Sequence, residues 1–385
     1  MDYEIDLACG RLRIETVRED LPLDALLGFA SRRNPRRGFL FVSRVLGKHV
    51  PCSPRVMRGT YDRLADQMRG VPGPVLVIGL AETATGLGGG VADSLARRDA
   101  RDDVIFQHTT RHRLDAPLLV QFDEVHSHAP DHLLYAPQPS LEASYRETAT
   151  LLLVDDEITT GRTLVALASR LAHRLPALQQ IVLVSLVNWL DPDLQCRLTD
   201  GLPVPARFVS LLEGTFEFEP RPGFAPVLPE GMRAQWPAQR SPRPDTGRRG
   251  LAMPAGAAAI DSAIERWATL SGEEPSALTI VGTGELAYPP FLLAERLERA
   301  GCNVLFQGTT RSPILAGGDI ERSLSFGDEH GEGVQNYLHN PPCLSRRPIL
   351  AYESHWHAEH HPLPVQLGAD VWVVPAEGLT ASQSI

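Results

Sequence analysis

Leu151 to Leu164 read LLLVDDEITTGRTL, an apolar run that ends on two adjacent acids and then turns into threonine, glycine and arginine. The run TLLLV (150–154) has the length and composition of a strand covered on both faces. Asp155 and Asp156 follow it directly. Both carboxylates therefore stand at the carboxyl end of a sheet strand, where open α/β sheets bind ligands. Neighbouring carboxylates repel each other and call for a cation or hydroxyl donors opposite them. The loop Thr159-Thr160-Gly161-Arg162-Thr163 offers small residues, hydroxyls and unpaired backbone N–H groups at a helix predicted to start near Gly161. Such a terminus binds a phosphate monoester. The acids cannot hold that phosphate, but they accept hydrogen bonds from a cis-diol and can face a magnesium ion. A phosphorylated ribose with metal nearby satisfies both parts.

Outward from this motif, FLFVS (39–43), PVLVIGL (74–80), DVIFQ (103–107), PLLVQF (117–122) and IVLVSLV (181–187) are further strand candidates. GGVADSLARR and TLVALASRLAHRL between them have helical spacing. Alternation of this kind predicts an α/β domain with a mainly parallel sheet. From Glu217 to Gly256 the texture becomes rich in Pro, Arg and Gly and reads as a connector, its four arginines between Arg240 and Arg249 solvated. A second α/β pattern follows, with a helix over AAAIDSAIERWATL and strands at LTIVG (278–282), NVLFQ (303–307), PILAY (348–352) and DVWVVP (370–375).

The chain has 385 residues, enough for two or three domains, with 43% hydrophobic and 22% charged residues, as in globular proteins. Its net charge of −10 argues against a general nucleic-acid binder. Five scattered cysteines with no CxxC pair suggest a reduced, cytoplasmic chain. MDYEIDLACG has neither the basic nor the apolar region of a signal peptide, and no apolar run reaches the length of a membrane span.

The two patterns also match each other in order. VIGLAE (77–82) stands against IVGTGE (280–285), DVIFQHTTR (103–111) against NVLFQGTTR (303–311), and FDEVH (122–126) against FGDEH (326–330). Glu82 lies 24 residues before Phe106 and Glu285 lies 21 before Phe306, a difference the run Gly88-Gly89-Gly90 can absorb in part. An internal duplication with divergence is the reading. In the second copy PILAYE replaces LLLVDD, so Tyr352-Glu353 stands for the acid pair and no phosphate loop follows.

VDDEITTGRT resembles the 5-phosphoribosyl-1-diphosphate (PRPP) loop of type I phosphoribosyltransferases. RRGFLFVSRVLGKHVP (36–51), GLAETATGLG (79–88) and Thr310-Arg311-Ser312-Pro313 narrow the resemblance to the branch found in tellurite-resistance and stress gene clusters, which carries a C-terminal TRSP domain. Glu157 departs from the family, which has an apolar residue there.

The resemblance implies a type I phosphoribosyltransferase (Rossmann-like) α/β domain over 1–216, a connector over 217–256 and a TRSP-type domain over 257–385, a second, diverged phosphoribosyltransferase-like α/β fold. It implies that Asp155 and Asp156 hold the ribose, with magnesium carried by PRPP, and that Glu157, Ile158, Thr159, Thr160, Gly161, Arg162 and Thr163 surround the 5-phosphate. Ala81, Glu82 and Thr83, with Arg111, are the expected pyrophosphate contacts, and Arg113 is a further candidate. Arg44 and Lys48 are the expected polar groups of an acceptor hood built from Arg36 to Val50. His126, His128 and His132 fall where the family has a mobile catalytic loop. His355, His357, His360 and His361 match no defensible metal spacing.

The expected partners are PRPP and a base-like small molecule, with no nucleic acid and no membrane. A homodimer or an internal pseudo-dimer is the expected assembly, in which Arg311 reaches the first half's site. The expected activity is phosphoribosyl transfer with release of pyrophosphate, or its reverse. A sensor that keeps the pocket without turnover is the rival reading.

Overall fold

A computed structural model describes residues 1–32, 37–122, 132–225, 245–255, 258–268, 277–375 and 379. Its centre is a six-stranded sheet in the order Ala206–Val209, Gln180–Val184, Thr150–Val154, Val75–Gly79, Val104–His108, Leu251–Met253. The first five strands are parallel and the last is antiparallel. Thr150–Val154 and Val75–Gly79 are buried along their whole length, as continuous Val, Leu and Ile strands between two layers should be. Helices Pro54–Asp66, Ala84–Arg98 and Arg162–Ala172 are among those that flank the sheet.

A second sheet runs Asn303–Gly308, Ala277–Gly282, Arg346–Tyr352, Asp370–Val373, all parallel. This is the order of Val104–His108, Val75–Gly79, Thr150–Val154 and Gln180–Val184 in the first sheet. The loops match in detail. Thr109 N donates to Gly79 O at 3.0 Å, and Thr309 N to Gly282 O at 2.9 Å. The Thr109 hydroxyl accepts from Ala81 N, and the Thr309 hydroxyl from Gly284 N, both at 2.8 Å.

Several expectations change. Leu118–Phe122 is not a core strand; it pairs with His132–Tyr135 in a separate hairpin with Leu118 exposed. Phe39–Ser43 pairs with Leu27–Ser31 in another hairpin. Gly88-Gly89-Gly90, the run set against the spacing difference of the repeats, lies inside the helix Ala84–Arg98 and lets it pack against neighbours. Described residues of the segment read as a connector take part in strands. Leu212–Pro220 is one long strand against Gly10–Glu19, and Leu251–Met253 closes the edge of the first sheet. Arg248, expected in solvent, is 2% exposed. Arg36, Arg240, Arg243, His126 and His128 lie outside the described residues.

A five-stranded sheet runs Asp2–Leu7, Gly10–Glu19, Leu212–Pro220, Val187–Asn188, Glu157–Ile158. It stands beside the acid pair and, with the strand pair Leu27–Ser31 and Phe39–Ser43, covers that end of the molecule. No described helix is long and apolar enough to cross a membrane.

Candidate active site

Three loops leave the carboxyl ends of three adjacent parallel strands. The first carries the acids. Asp155 N donates to Val184 O at 2.9 Å and Asp156 N to Asp155 Oδ1 at 3.0 Å, which fixes the backbone of the pair. Burial, with the Glu157 charge second, lifts the Asp156 carboxyl to about 6. Glu157 and Ile158 then cross into the covering sheet, paired with Val187 and Asn188.

The side chains of these two residues do not line a phosphate loop, contrary to expectation. Glu157 is ion-paired with Arg37, whose guanidinium lies 4.9 Å from the Phe39 ring centre, and Ile158 is in the core. Among the described residues, no acceptor is recorded for the amides of Thr159, Thr160, Gly161, Arg162, Thr163 or Leu164. Gly161, at φ +64°, turns the chain into the helix Arg162–Ala172. The result is a cradle of donors at a helix N-terminus.

The second loop is Leu80 to Thr83. Leu80 N donates to Val154 O at 2.9 Å, which ties this loop to the acid strand. Glu82 meets Lys48 Nζ at 2.7 Å, and Lys48 also donates to Gly284 O at 2.8 Å. Lys48, 4% exposed, is therefore a bolt between the halves and not a hood residue. Arg44 likewise turns away, donating from Nε to Asp319 at 3.0 Å and from Nη1 to Asp24 O at 2.6 Å. The hood expectation for both is corrected: after Ser43 the chain leaves the covering hairpin, and Cys52 pairs with Phe306 of the second sheet.

The third loop is Thr109 to Arg111. Glu285, from the second half, accepts the Thr110 hydroxyl at 2.6 Å and Arg111 N at 2.7 Å. Arg248 donates to the same carboxylate at 3.1 Å from Nη2 and also pairs with Glu353. Burial opposes the charge on Glu285, but His112 and Arg248, with further help from His108 and the Thr110 hydroxyl, hold it well below the usual range. For Arg311, burial is outweighed by Glu82 first, then Glu285, Glu332 and Glu329, so this second-half cation lies within the field of the Glu82 loop. It also meets Glu332 at 3.5 Å. Arg113 is exposed.

His132, expected in a mobile loop, instead starts a strand, stacks on Phe122 at 4.9 Å and bonds the Thr109 hydroxyl at 3.1 Å. The four C-terminal histidines diverge. His357 meets His330 at 3.2 Å, His361 meets the Tyr352 hydroxyl at 2.6 Å, His360 stacks on Trp356 and His355 begins the helix. No group of three or more potential ligands suited to a metal occurs among the described residues. A wide-open pocket of about 800 Å³ lies at the opposite end of the sheet between Arg69 and Asp103. It has no part in this site.

The fold and its three loops define a phosphoribosyltransferase. Residues 26–215 match the model of a phosphoribosyl transferase family, and residues 245–359 match the TRSP domain that is C-terminal to it. The chain belongs to this family of transferases with a TRSP domain behind them. No curated protein matches it. Among solved structures, it is similar to adenine phosphoribosyl transferase of Trypanosoma brucei in complex with AMP, pyrophosphate and ribose-5-phosphate, at 16% identity over 51% of this chain and 82% of the other, with a TM-score of 0.37. The adenine enzyme of Giardia lamblia with 9-deazaadenine gives 14% identity, 50% and 98% coverage and a TM-score of 0.32. Hypoxanthine phosphoribosyltransferase of Trypanosoma cruzi with the product IMP gives 16%, 45% and 82%, and 0.26.

The Glu285–Arg248–Glu353 cluster was missed by sequence reasoning. Its one sequence signal was the pairing of Glu285 with Glu82 in the repeat.

Proposed function

We propose that this transferase binds PRPP at residues 155–163 and moves its 5-phosphoribosyl group to a base or base-like acceptor. The bond from ribose C1 to the pyrophosphate oxygen breaks, its electron pair leaves with pyrophosphate, and a bond from C1 to the acceptor forms; the reverse reaction uses the same groups. The observation that carries this reading is the acid pair and the amide-lined turn side by side at the end of one strand.

Asp155 and Asp156 accept the ribose hydroxyls. The amides and hydroxyls of Thr159 to Thr163 hold the 5-phosphate. The loop Ala81 to Thr83 and Arg111 hold the pyrophosphate, with Arg311 contributing from the second half. Two adjacent carboxylates, one of them raised toward 6 by burial and a third acid, are hard oxygen donors that suit magnesium. When bound with PRPP, magnesium neutralises the leaving pyrophosphate. Holding the reactants in line and excluding water is the protein's share.

The acceptor would sit under the covering sheet, where Phe41 stacks on Trp189 at 4.9 Å. The shared strand order supports reading the second half as a degenerate repeat, its Tyr352-Glu353 replacing the acids.

Titration calorimetry with PRPP and magnesium chloride tests the site. Asp155→Asn with Asp156→Asn should abolish binding while the fold persists; unchanged binding in the double variant would overturn the reading. Release of pyrophosphate with a panel of bases then identifies the acceptor.

A further inference from the structure

Glu285 is buried at 4% exposure, and an ionised carboxylate is costly there unless every lone pair is used. Both oxygens are engaged: Oε1 takes Arg111 N, and Oε2 takes the Thr110 hydroxyl and Arg248. Arg248 spends its other end on Glu353, and Thr246 donates to Glu353 at 2.8 Å. The Arg248 carbonyl also accepts Gln107 Nε2 at 2.8 Å, which holds the arginine to the strand that leads into Thr110.

The counterpart contact in the other direction is missing among the described residues. Glu82, the repeat partner of Glu285, turns to Lys48, and the Thr310 hydroxyl accepts only its own loop's Ser312 N. The clamp therefore points one way, from the half without the acid pair to the half that has it. Glu353 stands where the first half has Asp156, and it is spent on Arg248.

We propose that Glu285, backed by Arg248 and Glu353, is a positioning residue that sets the Thr110–Arg111 turn and with it the pyrophosphate affinity of the first half. This rests on the reading of Arg111 as a pyrophosphate contact. The second half is then a working part of the transferase site without binding PRPP itself.

The test compares two ligands on the full chain, PRPP and ribose 5-phosphate, by titration calorimetry at fixed magnesium. Glu285→Asp keeps the charge facing Arg248 but draws the acceptor away from Arg111 N. PRPP should bind about ten-fold more weakly, the factor carried by one charge-assisted hydrogen bond, while ribose 5-phosphate changes little. Arg248→Lys, which cannot bridge two carboxylates as a guanidinium does, should show the same split and covers the case in which the first variant does not fold. Equal weakening of both ligands, or no weakening of either, would overturn the inference. If the wild-type chain binds neither ligand, the PRPP reading itself fails and this inference falls with it.

Discussion

Burial and the Glu157 charge lift the Asp156 carboxyl from 3.8 to about 6, and this sets a pH dependence. Below pH 6 the free protein carries a proton on the group that must accept the ribose. PRPP affinity should fall as pH drops through about 6, with a slope of one proton, when followed by calorimetry. Glu157→Gln removes the second cause and should move that midpoint downward. Stability runs the other way. Across the window from about 4 to about 6 the folded chain holds a proton that the unfolded chain has lost, so this group's contribution falls as pH rises through it. The acid pair and the Thr159–Thr163 turn were legible because the motif is continuous in sequence. The Glu285 contacts were not, since Thr110 and Glu285 are 175 residues apart and a buried glutamate's partners are set by packing. Lys48 was misplaced for the same reason: it follows a covering strand, but its bonding partners are Glu82 and the second half.

The helices Ala84–Arg98 and Tyr288–Arg299 follow equivalent strands and pack on each other. Glycine permits the approach: a Cβ on Gly89 would lie 2.5 Å from Tyr288 Cγ. Gly89→Val should cost about 3 kcal/mol, the upper end of the overpacking range, seen as a lower melting temperature. Gly59→Ala, in an open position on Pro54–Asp66, should instead gain up to about 1 kcal/mol from helix propensity. Strands with continuous apolar runs were mostly legible to within a residue or two, because burial on both faces leaves that pattern; the run 181–187 instead splits between Gln180–Val184 and Val187–Asn188 of the covering sheet. The strand Gly10–Glu19 buries Leu12, Ile14 and Thr16 alternately, a period-two signal that a search for continuous runs passes over. Leu118–Phe122 failed in the opposite sense: an apolar run supplies a hairpin with one exposed face.

One hydrophobic core contains Cys52, Phe106 and Leu152 from the first half and Tyr288, Phe291, Phe306 and Ile349 from the second. Arg58 joins the halves by pairing with Asp93 at 2.7 Å and Glu295 at 2.6 Å, all three nearly buried. Scanning calorimetry should therefore give one transition for the whole chain. Arg58→Met takes the shared cation from two buried carboxylates, leaving Asp93 with Arg97 and Glu295 with Arg299, and should lower stability by about 1–3 kcal/mol while moving that single transition as a unit. Two separable transitions would contradict the shared core. The repeat was readable from ordered string matches; how its copies dock was not, since helix faces pair by shape. The strand Leu251–Met253 belongs to the TRSP match yet completes the sheet of the transferase. During synthesis the edge strand Val104–His108 waits with its outer backbone groups open until residue 253 has left the ribosome. The first half thus cannot finish folding on its own schedule, and a gene cut between the two family matches would leave an open sheet edge, the surface that recruits stray strands.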